Sequence, residues 1–181
     1  MTTLYVDNIA PNLQSKISAP NLQLPSGSVV QVVQTVKTDV FSSSAQNTFT
    51  DITGLNATIT PSSASSKILV LVELKASMSS AAVTSLRLLR GSTPIGNGDS
   101  AGSRTPAASG YYSGASDIDA HIISATINHL DSPNTTDATT YKVQVSPINA
   151  VTVWINKTAR DNDSVGWLRT SSTITLMEIA G

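Results

Sequence analysis

From Ser28 onward the chain sets apolar against polar residues at a period of two, and that pattern excludes most folds. "SKILVLVELKASM", residues 66 to 78, is apolar on both faces as far as Val72 and alternates afterwards. Such a run marks a central strand covered on both sides. "TSLRLLRG" sets Leu86 and Leu88 against Arg87 and turns at Gly91. "SVVQVVQTVK", "IDAHIISATINHLD", "TYKVQVSP", "AVTVWIN" and "SSTITLMEIA" read as further strands, as do "NTFTDI" and "LNATIT", divided at Gly54. No segment keeps a 3.6-residue period for more than two turns. Short strands with turn residues at this spacing predict an all-β fold, a jelly-roll-like β-sandwich of about eight to ten antiparallel strands.

Residues 1 to 27 break the pattern. One short strand is expected over Leu4 to Ile9, after which Pro11, Pro20, Pro25 and Gly27 interrupt any regular element. Leu4, Val6, Ile9, Leu13, Ile17 and Leu22 nevertheless recur through the segment, as they would in an extended arm that packs on something. The division expected is an anchoring arm, 1 to 27, and a sandwich head, 28 to 181. The arm folds back on its own head or docks on a neighbouring subunit or a larger assembly.

Composition narrows the function. Charged residues are 13% of the 181 and the net charge is −1, against about 25% charged in an ordinary domain. The chain covers itself with Ser and Thr instead. The scattered Lys and Arg form no basic stripe, so no nucleic acid is expected as a partner. No apolar run is long enough to span a bilayer, and the first residues do not read as a secretory signal, so neither membrane insertion nor secretion is expected. The absence of cysteine excludes disulfides and thiolate metal sites, and suits synthesis in a reducing cytoplasm.

"GNGDSAGSR", residues 96 to 104, contains a G-x-S-x-G match at Gly98 to Gly102. A nucleophile elbow needs a helix directly after the serine, and Pro106 and Gly110 prevent one. Both histidines, His121 and His129, follow Ser100, the wrong order for a trypsin-like triad. Ser100 therefore reads as a loop residue. The two histidines, placed eight apart on one expected strand, would lie about 26 Å apart, too far to share a metal within one chain. "RDNDS" lacks the spaced carboxylates of a calcium loop. Asp117 and Asp119 are the one close carboxylate pair at a strand start, and spacing alone does not make them a hydrolytic pair. Four Asn-x-Ser/Thr triplets, at Asn56, Asn134, Asn156 and Asn162, are accidental in a chain so rich in hydroxyls. No catalytic residue, cofactor or metal is expected. Trp154 is expected in the core. Tyr111, Tyr112 and Trp167 are expected in loops as surface contacts. In the last strand Met177 and Ile179 lie opposite Ile174 and Leu176, so one face serves the core. The other is a candidate subunit interface, or is covered within the same subunit.

The segments "LYVDNIAPN", "GSVVQVVQTVKTD", "FTDITGLNATITPSSASSKILVLVEL", "LRLLRGSTPIGNGD", "LDSPNTTDATTYKVQV" and "SSTITLMEIAG" resemble small tail-fibre or virion structural proteins of tailed phages infecting marine and cyanobacterial hosts. The resemblance covers nearly the whole chain, with "ITPSSASSKILV" and "TLMEIAG" its most specific parts. It implies a homotrimeric β-sandwich head on an N-terminal arm, joined through that arm to other virion proteins. As a tail-fibre or appendage head, its loops would meet the host surface, with a glycan as a further partner. The alternative is a capsid decoration, cement or head-fibre protein that grips the coat lattice through the arm. Either places the protein in the virion.

Overall fold

A computed structural model describes residues 24–114 and 120–181 of the chain. The expected arm residues Leu4, Val6, Ile9, Leu13, Ile17 and Leu22, and the pair Asp117 and Asp119, lie outside the described residues. Eleven strands are present among those described, and no α-helix. They are β1 (Val29–Lys37), β2 (Phe41–Ser43), β3 (Thr50–Ile59), β4 (Lys67–Met78), β5 (Ala82–Arg90), β6 (Thr93–Ile95), β7 (Ser109–Ser113), β8 (Ile123–Asp131), β9 (Thr139–Pro147), β10 (Val153–Ile155) and β11 (Ser172–Ile179).

The strands form two antiparallel sheets, and the pairing makes the architecture legible. β11 and β10 run end to end along one edge of β4, with β8 on its other edge. β1 and β2 continue outward from β11 and β10 in the same way. In the second sheet the order is β3, β9, β5, and the far edge of β5 is shared by β6 and β7. Counting each end-to-end pair as one position leaves eight positions, four per sheet. The chain crosses between sheets in the order of a jelly roll. The eight to ten strands expected thus become eleven because three of the eight positions are broken.

One of these breaks has a clear cause. Asn156 follows β10 in a left-handed conformation, with φ of 67°, which an asparagine tolerates better than other side-chain-bearing residues. There the chain leaves the sheet for residues 156 to 171 and returns as β11. Asn156 Nδ2 donates to the carbonyls of Lys37 (2.8 Å) and Asp39 (3.1 Å), in the gap between β1 and β2. Its Oδ1 accepts from Ser172 Oγ at 2.6 Å. A single buried amide so joins two broken strands.

The period-two pattern decides what is buried. Ile68, Val70, Val72, Leu74, Ala76 and Met78 of β4 face Leu86, Leu88, Tyr141, Val143 and Val145 across the sandwich, all within one core cluster. The turn expected at Gly54 is instead a bulge inside β3, with the register slipping between Asp51 and Asn56. Gly54, at φ of 80°, lets the strand bend without ending. His121 precedes β8, so the two histidines do not share a strand as expected. Trp154 is also displaced from its expected place. Val153 and Ile155 take the core positions, and the alternation turns Trp154 outward, half-buried, with Lys157 Nζ 5.0 Å from its ring.

Polar groups lock the ends of the sandwich. Glu178 is buried on the inner face of β11. It accepts from Gln31 Nε2 (2.6 Å), Ser62 N (2.7 Å) and Ser62 Oγ (2.6 Å). Burial alone would raise its carboxyl pKa. The hydrogen bonds from Ser62, Gln31 and Ser66 outweigh this and hold it below the ordinary value. Asp131, at the end of β8, ties the first sheet to Arg90 and Tyr141 of the second.

Candidate functional site

A trench lies on the outer face of the second sheet, and the strand register explains it. Ser146 of β9, Ser85 of β5 and Gly110 of β7 stand side by side. This row of small residues makes a low floor between taller neighbours. Ile148, Val83 and Tyr112 rise along one side, and Gln144 and Arg87 along the other. Gly110 cannot be replaced without cost, because a Cβ there would sit 3.0 Å from the carbonyl oxygen of Thr84.

The segment 96 to 108 crosses above the floor. It is held by bonds from Gly98 N to Ala107 O and from Ala108 N to Leu86 O. Ser103, Arg104 and Thr105 lean over Ser85 and Ser146 and divide the trench into two openings. One, of about 440 Å³, is completed by Asn47, Phe49 and Ile148. The other, of about 540 Å³, is completed by Val83, Asp99, Pro106 and Tyr112 among others. Arg87 lays its guanidinium over the Phe49 ring at 3.6 Å, and its buried Nε has no hydrogen-bond partner.

The lining carries hydroxyls, one side-chain amide, an arginine and aromatic faces. Asp99 is the one carboxylate among the residues lining the two openings, with no histidine beside it. Such a set suits a ligand rich in hydroxyls with a flat apolar face, which hydrogen-bonds to the floor and stacks on a ring. It holds no close acid–base pair for hydrolysis. Ser100 is exposed in the crossing segment, and no helix follows it among the described residues.

The expected contact residues separate in the structure. Tyr111 and Tyr112 lie in β7 rather than in a loop, and strand alternation sends them to opposite faces. Tyr112 is 64% exposed on the trench wall, whereas Tyr111 is 9% exposed and belongs to the core. Burial pushes the Tyr111 phenol pKa well above its ordinary value, against a smaller opposing effect of Thr84. Tyr111 is therefore not a surface contact. Trp167 sits half-buried in the 156–171 excursion of the first sheet, with Arg160 5.3 Å from its ring, so it does not join Tyr112. Met177 and Ile179 point outward from the first sheet and are partly exposed.

Phe49, Arg87, Ser85 and Ser146 were not expected at a site. Arg87, Ser85 and Ser146 follow from alternation once the register is known, Phe49 comes from the loop before β3, and no motif marks any of them.

No family model and no curated protein matches the sequence. Among solved structures, the chain is similar to one described as "Structure of infectious bursal disease virus Gx strain", with a TM-score of 0.41 and 15% identity. The match covers 85% of this chain and 39% of that one.

Proposed function

We propose that this protein is a non-enzymatic virion structural protein, a homotrimeric head of a tail fibre or appendage that recognises a host-surface glycan. The trench above Ser146, Ser85 and Gly110 carries this reading, since its hydroxyls, Arg104 and the exposed Tyr112 ring are the groups that bind a sugar. The resemblance to small phage virion proteins supports the same assignment. So does a head without cysteine, which oligomer formation would stabilise in place of disulfides. The arm joins it to other virion proteins.

Two measurements test the reading. Antibody raised against residues 29 to 181 and coupled to gold should label the tail or its fibres on intact particles. Label spread over the head would make the protein a capsid decoration protein working through its arm. The purified chain should bind host envelope glycans on an array, and Tyr112→Ala and Arg104→Ala should each weaken binding at least tenfold. Binding that survives both substitutions would move recognition away from the trench.

A further inference from the structure

Charge is scarce in this chain, and most of it is matched where it occurs. On the second sheet Lys142 Nζ stands 2.7 Å from Asp51, and Arg90 Nη1 stands 2.8 Å from Asp131. The two arginines of the trench are the exception. Arg104 gives one bond, from Nη1 to the Ala101 carbonyl at 3.2 Å. Arg87 lies against Phe49 with its buried Nε unpaired. Among the described residues neither arginine reaches a carboxylate. Both border the smaller opening, of about 440 Å³: Arg104 lines it, and so does the Phe49 ring that carries Arg87. No carboxylate lines that opening, since Asp99 belongs to the larger one. Its other polar side chains are the hydroxyls of Ser85, Ser103, Thr105 and Ser146 and the Asn47 amide, all able to donate.

We infer that the smaller opening receives the anionic group of an acidic glycan, one whose sugars carry a carboxylate, an ester sulfate or a phosphate. This rests on the host-glycan reading of the trench and adds to it the charge of the ligand. A guanidinium without a carboxylate partner presents forked N–H donors to an oxyanion, and such charge-assisted bonds are about twice as strong as neutral ones. Arg104 contacts the anion, while the Ser85 and Ser146 hydroxyls donate to its remaining oxygens. Arg87, laid on the Phe49 ring, adds positive charge beside it. Arg104 also lines the larger opening. The same ligand therefore continues past the crossing segment and lays a neighbouring sugar ring on Tyr112, which is 64% exposed. A neutral glycan leaves both guanidinium charges unmatched, so the site discriminates against it.

The test prints host envelope glycans in four copies: untreated, carboxyl-reduced with carbodiimide and borohydride, desulfated by solvolysis in dimethyl sulfoxide, and dephosphorylated with cold hydrofluoric acid. The full chain should bind the untreated copy and lose at least about tenfold in affinity on one treated copy, which identifies the anion. Arg104→Gln should abolish that difference, so that untreated and treated copies bind alike. Arg87→Gln should reduce it, and Arg104→Lys, which keeps the charge, should retain part of it. Lys67→Gln removes an exposed charge from the first sheet and should leave the difference intact. Circular dichroism of each variant checks that the fold is kept. Equal binding to all four copies would overturn the inference and leave the glycan reading standing. A difference that survives Arg104→Gln at full size would place the anion elsewhere and overturn the inference as well. No binding to any copy would overturn both.

Discussion

Replacing Asp131 by alanine is expected to cost about 1–4 kcal/mol, mainly through a group that it does not itself contain. Asp131 ends β8 and is 7% exposed. It accepts from Arg90 Nη1 at 2.8 and 2.9 Å and from the Tyr141 hydroxyl at 2.6 Å. Arg90 and Tyr141 belong to the opposite sheet, so the carboxylate closes one end of the sandwich. Burial, reinforced by the Asp131 carboxylate, pushes the Tyr141 phenol pKa well up, so the hydroxyl stays a donor in neutral solution. Truncation leaves that fully buried hydroxyl without an acceptor, costing about 1–3 kcal/mol. Arg90 is 32% exposed and can turn to water, so its lost pairing adds about 0–1 kcal/mol. For a chain of this size the sum lowers Tm by about 2–16 °C.

The assay is urea unfolding at fixed protein concentration, which keeps any subunit equilibrium constant. Tyr141→Phe alone should cost about 1.5–3 kcal/mol, the value of a hydrogen bond to a charged acceptor. In the Asp131→Ala background it should be neutral or stabilising, because it removes the orphaned hydroxyl. Equal cost in both backgrounds would refute the reasoning and return the loss to packing alone.

Other expectations are checked by the same measurement. Glu178 has a folded-state pKa below its ordinary 4.5, so its stabilisation is present above that value and lost as pH falls through the folded pKa. Glu178→Gln should therefore be destabilised relative to wild type by about 1–3 kcal/mol near pH 7, and the gap should narrow below about pH 4. A gap unchanged with pH would mean that the charge is immaterial. Asn156→Ala loses two donated bonds and forces a left-handed alanine, at about 3–5 kcal/mol. Asn156→Gly should cost about 1–2 kcal/mol less, and equality of the two would remove the conformational part. Gly110→Ala brings a methyl against the Thr84 carbonyl and should cost about 1–3 kcal/mol. It should also weaken glycan binding on the array, since it raises the trench floor.

Alternation, β-branched runs and the absence of any helical period determined the all-β class and the two-faced character of most strands. They did so because a strand side chain's direction follows from its parity alone. The same logic failed at Gly54, because a bulge depends on which partner strand is present and local sequence does not encode that. Parity does place Trp154 outward, between Val153 and Ile155, and only its large aromatic ring suggested the core. Tyr111 and Tyr112 show the limit most plainly. Adjacent letters in a glycine- and serine-rich stretch read as one loop pair, yet a short strand along β5 buries the first and exposes the second. The trench belongs wholly to tertiary structure. Ser85, Gly110 and Ser146 are unremarkable small residues until register aligns them across three strands. Met177 and Ile179 stood out in the sequence as a possible outer face. Their continuity with Val32, Leu69 and Leu130 did not, because residues so distant along the chain become neighbours only when strands pair.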